Sequence, residues 1–264
     1  MAEDDFSALS EMVYSGRGIT VGMTPSKLPF IGYSLTGRSP SSQARRLVRG
    51  LETGVIRTDV TDLEQLAKGN PALLLYPAIV PVNQKTLVAS NGAQTKLLFS
   101  EALNYPSRTA FRLINDTLTT DSFFEFDAEN DLWVDITNYE PDSPNNTPRI
   151  SACIRGTEAA MHIVWNENDS RHKNIFRINN LIPGQGKLIT TYSGGNENPL
   201  VHFKGNPLDV QIGSESARDI AESIYETIQG GQNPGDNYAV ASAVTLIGSN
   251  GFEHAIINRS ERGE

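Results

Sequence analysis

The sequence predicts a protein of the α+β class, with two sheets packed face to face and helices on the outside. Runs of β-branched and aromatic residues recur through both halves of the 264-residue chain, a pattern typical of strands. Helical periodicity is confined to a few segments. Because no linker and no repeat of fixed period divides the chain, residues 1–264 are predicted to form a single domain, with 1–13 as an N-terminal arm.

The first predicted element is a hairpin. Apolar runs at 19–22 and 30–35 flank the turn residues Thr24-Pro25-Ser26-Lys27. The loop that follows carries Arg38 and Arg45 among serines. Guanidiniums and hydroxyls on a flexible backbone suit an anion such as phosphate, whereas the alternative is a surface turn with solvated arginines.

Most of the remaining chain predicts strands. They are expected at 55–60, 79–82, 85–90, 123–126, 132–136, 150–154, 159–165, 174–178, 187–192 and 254–259. Residues 73–76 predict a strand or a tight segment, and 238–248 a helix or a strand. Helices are predicted at 61–69, 95–104, 107–118 and 214–229. Thr61 is the expected cap of the first helix, and Ser214 and Gly230-Gly231 are the expected ends of the last.

Composition restricts the classes of partner. The net charge is −9 and no dense basic run occurs, so nucleic acid is not expected as a partner. No apolar run approaches the roughly 20 residues of a membrane-spanning helix. The acidic N-terminus lacks a following apolar segment, which predicts a cytoplasmic protein. Cys153 is the single cysteine, so no intramolecular disulfide can form.

Signatures of metal, nucleotide-loop and triad chemistry are missing from the sequence. The four histidines have no ligand spacing, and Cys153 lies in an apolar run typical of core packing. Gly16-Arg17-Gly18 is not followed by a helix, so it is not a dinucleotide fingerprint. No nucleophile elbow occurs. The sequence therefore predicts a site without metal or cofactor.

Polar residues instead collect at predicted strand ends and in loops. Two or three guanidiniums, a phenol, a carboxylate and a glycine-exposed backbone suit a phosphorylated, amide-bearing heterocycle and proton transfer. Each of these residues alone is more typical of a surface. They are Arg38, Arg45, Tyr76, Asn91-Gly92, Glu140 and Arg149.

An ordered set of short motifs resembles the archaeal-type IMP cyclohydrolase family. The set spans residues 14 to 258. It consists of Tyr14-x-Gly16-Arg17-Gly18-Ile19, Tyr33, Arg38-Ser39, Arg45, Asn70-Pro71, Tyr76, Ser90-Asn91-Gly92, Tyr139-Glu140, Asn146-Thr147-Pro148-Arg149-Ile150 and Thr191-Tyr192.

The resemblance implies a four-layer α-β-β-α sandwich like that of N-terminal nucleophile hydrolases, without such a nucleophile. It implies dehydrative ring closure of 5-formamidoimidazole-4-carboxamide ribonucleotide to inosine monophosphate in purine biosynthesis. The catalytic arginine, tyrosine and glutamate match Arg45, Tyr76 and Glu140, with Arg46 as the alternative arginine. The substrate-binding positions that the resemblance implies are Arg17, Arg38, Ser39, Ser90, Asn91, Gly92, Asn146, Thr147, Arg149 and Tyr192.

Two alternatives to this enzyme stay open at the level of sequence. One is a non-catalytic or regulatory protein that binds a purine nucleotide, and the other is a related amidohydrolase on the same fold. In each case the expected partner is a small molecule, with neither nucleic acid nor membrane involved. Homo-oligomerisation is left open.

Overall fold

The computed structural model describes residues 3–127, 131–229 and 237–263. The described strands are β1 Arg17–Met23, β2 Pro29–Thr36, β3 Arg45–Arg49, β4 Ile56–Val60, β5 Pro77–Asn83, β6 Thr86–Ser90, β7 Phe124–Asp127, β8 Leu132–Asp135, β9 Arg149–Arg155, β10 Glu158–Glu167, β11 Ser170–Ile178, β12 Gln185–Thr190, β13 Leu208–Gln211, β14 Ala239–Gly248 and β15 Gly251–Asn258. The described helices are α1 Ser7–Ser10, α2 Pro40–Gln43, α3 Leu63–Leu66, α4 Pro71–Leu74, α5 Gln94–Asn104, α6 Ala110–Leu118, α7 Ala217–Ile228 and α8 Arg259–Arg262. The α+β class is therefore confirmed.

Two large antiparallel sheets form the body of the molecule. The six-stranded sheet has the order β13-β12-β1-β2-β14-β15, and the seven-stranded sheet has the order β11-β10-β9-β6-β5-β4-β3. The strands β7 and β8 form a separate two-stranded ribbon. Because β14 pairs with β2, the two ends of the chain share one sheet.

Alternating side chains give each large sheet two buried faces. On β2, Ile31 and Tyr33 belong to the central core, which also contains Leu87 and Ile154 of the other sheet. Phe30, the neighbour of Ile31, points to the opposite face and packs with α7. The seven-stranded sheet turns its outer face to α5 and α6. A strand buried on both faces is expected to be apolar nearly throughout, as β2 is.

The structure confirms most predicted elements and corrects several. Residues 73–76 do not form a strand, because Asn70 caps a short helix that has Pro71 in its first turn. The caps are Asp62 and Ser216, not Thr61 and Ser214. Of the helix and the strand predicted for 238–248, the structure has the strand, β14 at Ala239–Gly248, whereas β3 and β13 were not predicted. The predicted stop at Gly230-Gly231 lies outside the described residues.

The helices α1 to α8 include none that is both long and apolar enough to span a lipid bilayer, within the described parts of the chain.

His162 on β10 is buried, and neither ring nitrogen has a hydrogen-bond partner among the described residues. Burial, together with the charges of Arg171 and Lys173, lowers its pKa from 6.5 to about 3. The unfolded chain therefore binds the extra proton between these values, and stability is lost as the pH falls through this window. We expect a loss of about 2–3 kcal/mol from this residue between pH 7 and pH 4.5.

Urea unfolding at both pH values checks this expectation. His162→Leu should lose less stability on acidification than the wild type by that amount. The matched control is His172→Gln, at an exposed position on the neighbouring strand β11. An acid dependence in His162→Leu equal to that of the wild type and the control would contradict the assignment.

Candidate active site

A cavity of about 270 Å³ is lined by residues from both large sheets. It includes seven of the predicted site residues: Arg17, Arg38, Ser39, Arg45, Glu140, Thr147 and Tyr192. It also includes polar residues that were not assigned to the site: Tyr14, Ser41, Ser42, Asn70, Asp142 and Asn145. The apolar part of its wall is Leu73 and Leu74 of α4 with Leu200.

Gly16 lets the chain enter β1 in tight contact with Thr191 and Tyr192. Its φ is +71°, and a Cβ placed there would lie 2.1 Å from Thr191 Oγ1. A residue with a side chain would therefore be strained as well as obstructed. The consequence is a fixed position for Arg17, whose backbone N–H donates to Thr191 Oγ1 at 3.1 Å.

Arg17 and Glu140 form a buried ion pair. The Arg17 Nη2 donates to Glu140 Oε1 at 2.5 Å, and both side chains are less than a tenth exposed. Asn91 Nδ2 lies 3.5 Å from the same oxygen. The Arg17 Nε has no partner among the described residues, so this guanidinium retains a donor.

The electrostatics of the pair follow from burial and neighbouring charge. Burial raises the pKa of the Glu140 carboxyl above its ordinary range, although Arg17 and Arg149 oppose the shift. Burial disfavours the charged Arg17 guanidinium, but Glu140 together with the phenols of Tyr76, Tyr192 and Tyr33 outweighs it and raises the Arg17 pKa. A carboxylate with a raised pKa beside fixed cations is suited to accept a proton from a bound ligand.

The proline-rich loop before β9 is closed by Asp142 and Thr147. Asp142 accepts from the Thr147 backbone N–H at 2.6 Å and from its hydroxyl at 2.5 Å. Thr147 Oγ1 also lies 2.6 Å from the Tyr192 hydroxyl, and its carbonyl accepts from the Glu140 N–H at 2.8 Å. The loop thereby fixes the backbone of Glu140. Asn146 occupies a left-handed turn position, with φ at 44°.

Arg45 and Arg46 point to different surroundings. Arg45 lies in the cavity lining, is 3% exposed, and its Nε donates to Ser42 O at 2.8 Å. Its Nη1 has no partner among the described residues. Arg46 instead forms a half-exposed ion pair with Asp59 at 3.3 Å. Of the two arginines, only Arg45 contributes to the cavity.

Arg38 lies at the mouth of the cavity. Its Nη1 donates to the Glu197 carbonyl at 3.0 Å, and its guanidinium lies 5.7 Å from the centre of the Tyr14 ring. Tyr14 stacks on Tyr192, with ring centroids 5.6 Å apart. Burial raises the pKa of the Tyr14 phenol, while Arg17, Arg45 and Arg38 oppose the shift. Tyr14 is therefore a neutral hydrogen-bond donor among three cations. Its position in the sequence, two residues before Gly16, did not indicate this role.

The predicted residues Ser90, Asn91, Gly92 and Arg149 lie behind the cavity lining. Asn91 Nδ2 donates to the Pro148 carbonyl at 2.9 Å, and Arg149 Nη1 donates to Gln94 Oε1 at 3.1 Å. A Cβ at Gly92 would lie 2.1 Å from Arg149 Nη1, so glycine makes room for this guanidinium. Ser90 bonds to Thr95. These residues support Glu140 rather than contributing to the wall.

Tyr76 is also outside the lining. It is 4% exposed, and its hydroxyl lies 3.1 Å from that of Tyr33 in the central core. Burial, and to a smaller extent the neighbouring Tyr76 phenol, raises the pKa of the Tyr33 phenol well above its ordinary value. The structure thus brings seven of thirteen predicted site residues to the cavity. The other six are Tyr76, Ser90, Asn91, Gly92, Asn146 and Arg149.

Comparisons with known proteins identify the family to which the chain belongs. A family model described as "IMP cyclohydrolase-like protein" matches residues 14–131 and 131–249. An IMP cyclohydrolase of Methanocaldococcus jannaschii is 27% identical over 248 residues, which cover 92% of this chain and 98% of the relative. Because the family model matches most of the chain, the protein belongs to the family of IMP cyclohydrolase-like proteins.

Proposed function

We propose that the protein is an IMP cyclohydrolase, which closes 5-formamidoimidazole-4-carboxamide ribonucleotide to inosine monophosphate with loss of water. The observation that carries the proposal is the buried Glu140, held by Arg17 at a cavity that Arg45 also lines. The reaction joins two groups of one substrate, so the protein supplies orientation and charge stabilisation. The relative named IMP cyclohydrolase, which the chain matches nearly end to end, supports the same reaction.

The first step is attack of the carboxamide nitrogen on the formyl carbon. Glu140 accepts the proton that the nitrogen loses and returns it to the formyl oxygen, so that a C–N bond replaces the C=O π bond and a carbinolamine forms. Arg17 is a positioning residue, because it holds the Glu140 carboxylate in place and ionised. Arg45 stabilises the negative charge that develops on the formyl oxygen.

The second step is loss of water from the carbinolamine. Glu140 takes the proton of the former formamido nitrogen and passes it to the former formyl oxygen, which leaves as water, so that the C=N bond of the purine forms. Tyr76 is assigned as the hydrogen-bond donor to the departing oxygen, a role that requires its hydroxyl to exchange the Tyr33 hydroxyl for the substrate at the edge of the cavity. Arg38 and Ser39 of the cavity lining are assigned to the phosphate. Arg149 and the Ser90–Gly92 segment, which lie behind the lining, are assigned an indirect role through Glu140.

The proposal includes the finer architecture and the setting of the protein. We assign a single domain with the four-layer α-β-β-α arrangement of N-terminal nucleophile hydrolases, which the shared central core and the two outer helix clusters support. No cofactor is assigned, since each proton transfer has a side chain. The proposed location is the cytoplasm, where the substrate class would be met.

The direct test mixes purified protein with the formyl ribonucleotide and follows the absorbance change as the purine ring forms. We expect turnover without added metal. Binding of inosine monophosphate without turnover would overturn the enzymatic role and indicate a nucleotide-binding protein. Product identity is checked by mass spectrometry, because ring closure removes one water.

Tyr76→Phe tests the assigned donor. We expect kcat to fall about 100-fold, because a positioned acid contributes about 10²–10⁴-fold. Tyr33→Phe is the matched control, since it removes the neighbouring phenol 3.1 Å away and leaves the Tyr76 hydroxyl in place. Equal rates in the two variants would contradict a specific role for Tyr76.

A further inference from the structure

A second cavity, of about 210 Å³, also has Arg45 in its lining. Its polar lining consists of Gln43, Arg45, Thr61, Arg259 and Ser260, and the start of β14 supplies its apolar wall. None of the described lining residues carries a carboxylate. Two guanidiniums with hydroxyls and no acidic neighbour are the donor set that oxyanions, and phosphates above all, require.

Both arginines retain hydrogen-bonding capacity. Arg259 is half-buried, and its Nη1 donates to the Asn237 carbonyl at 3.3 Å. Arg45 is nearly fully buried, with Nη1 unpartnered among the described residues. A buried donor without a partner carries a desolvation cost that a bound anion would remove.

Arg45 is shared between the two cavities. It lines the candidate active site and the second cavity alike. An anion that bonds to Arg45 from the side of Arg259 therefore competes for the guanidinium that the proposed reaction uses. This geometry couples the two cavities through one side chain, without any movement of the sheets.

We propose that the second cavity binds a phosphate-class anion on Arg259 and Arg45, and that its occupation inhibits the active site. The binding part stands on the cavity alone, whereas the inhibition rests on the proposed cyclohydrolase function. Inhibition is expected to be non-competitive towards the ribonucleotide, since the anion does not occupy the substrate cavity. Because non-competitive inhibition leaves the affinity for the ribonucleotide unchanged, a bound nucleotide should likewise leave the affinity for the anion unchanged.

Isothermal titration with inorganic phosphate tests the binding part. We expect two classes of phosphate site in the wild type, one of which is weakened about tenfold or more in Arg259→Gln. Arg38→Gln should lose the other class and keep this one. Arg112→Gln is the matched control, because it removes an exposed arginine from α6 on the other sheet.

Ser260→Asp is a second variant that keeps the test independent of any folding defect in Arg259→Gln. A carboxylate at this exposed position repels the anion and should give the same loss. The proposal is overturned if Arg259→Gln and Ser260→Asp both bind phosphate as well as Arg112→Gln does. It is also overturned if the wild type shows one class of phosphate site instead of two.

Kinetics test the inhibition. Phosphate should lower kcat of the wild type by about fivefold or more, while Arg259→Gln keeps the basal kcat and loses this component. Phosphate that binds as predicted but leaves kcat unchanged overturns the coupling alone. Absence of turnover in the wild type contradicts the proposed function. In that case the titration with phosphate still tests whether the second cavity binds the anion.

Discussion

Replacing Glu140 with glutamine is expected to lower kcat about 10³-fold or more, because the amide cannot take the proton of the attacking nitrogen. The side chain is buried, and its main partner is Arg17. Removing the negative charge leaves that arginine uncompensated, which costs about 3–5 kcal/mol of stability. The rate loss therefore has to be separated from a folding defect.

The double variant Arg17→Gln/Glu140→Gln makes this separation. It removes both charges, so it should recover most of the stability that Glu140→Gln loses, while kcat stays low. Thermal unfolding and the absorbance assay measure the two effects on the same samples. Glu226→Gln, at an exposed position on α7, is the control for the substitution itself. Recovery of kcat in the double variant would exclude Glu140 as the base.

The pH dependence of kcat/KM also tests the assignment of Glu140 as the base. Since burial raises the pKa of Glu140, the base becomes protonated at a higher pH than an ordinary glutamate, whose pKa is about 4.3. The acid limb of kcat/KM should therefore lie above that value and be absent from the residual activity of Glu140→Gln.

Replacing Arg45 with glutamine is expected to lower kcat about 10²–10³-fold, as removal of a donor to a developing oxyanion does. Arg46→Gln provides a control one residue away with the same change in charge. Its side chain is paired with Asp59 outside the cavity, and such exposed pairs contribute about 1 kcal/mol or less. Its kcat should stay within about twofold of the wild type.

Single-turnover kinetics show which step Arg45 serves. The loss should appear in the chemical rate, with the dissociation constant of inosine monophosphate little changed. Equal losses in Arg45→Gln and Arg46→Gln would indicate a general electrostatic effect and remove the assignment of Arg45.

Local patterns were sufficient for much of the fold. The hairpin of β1 and β2 was predicted because turn residues separate two apolar runs. The strand β3 was missed, since Arg45-Arg46-Leu47-Val48-Arg49 is rich in charge, as edge strands are. Asn70-Pro71 was interpreted only as the end of the preceding helix, whereas Asn70 also caps the one-turn helix Pro71–Leu74.

The candidate site required information that no local pattern contains. Arg17 and Glu140 are 123 positions apart, and their contact depends on how the two sheets face each other. The ordered motifs of the family did select both residues. The motifs did not separate residues that line the cavity from residues that lie behind the lining, because Asn91 and Arg149 would be polar and buried in either position.

Asn258 at the end of β15 accepts from the Leu47 N–H at 2.8 Å and donates to the Leu47 carbonyl at 2.9 Å. On the open edge of β3, these two hydrogen bonds satisfy the Leu47 backbone groups that a further strand would otherwise pair with. Edge strands normally fray at the lowest opening free energies, and fraying of β3 would displace Arg45 two residues away. The side-chain amide of Asn258, which belongs to the opposite sheet, therefore allows β3 to open at Arg45 only when the two sheets separate. Hydrogen exchange of the Leu47 backbone amide should accordingly report the free energy of global unfolding.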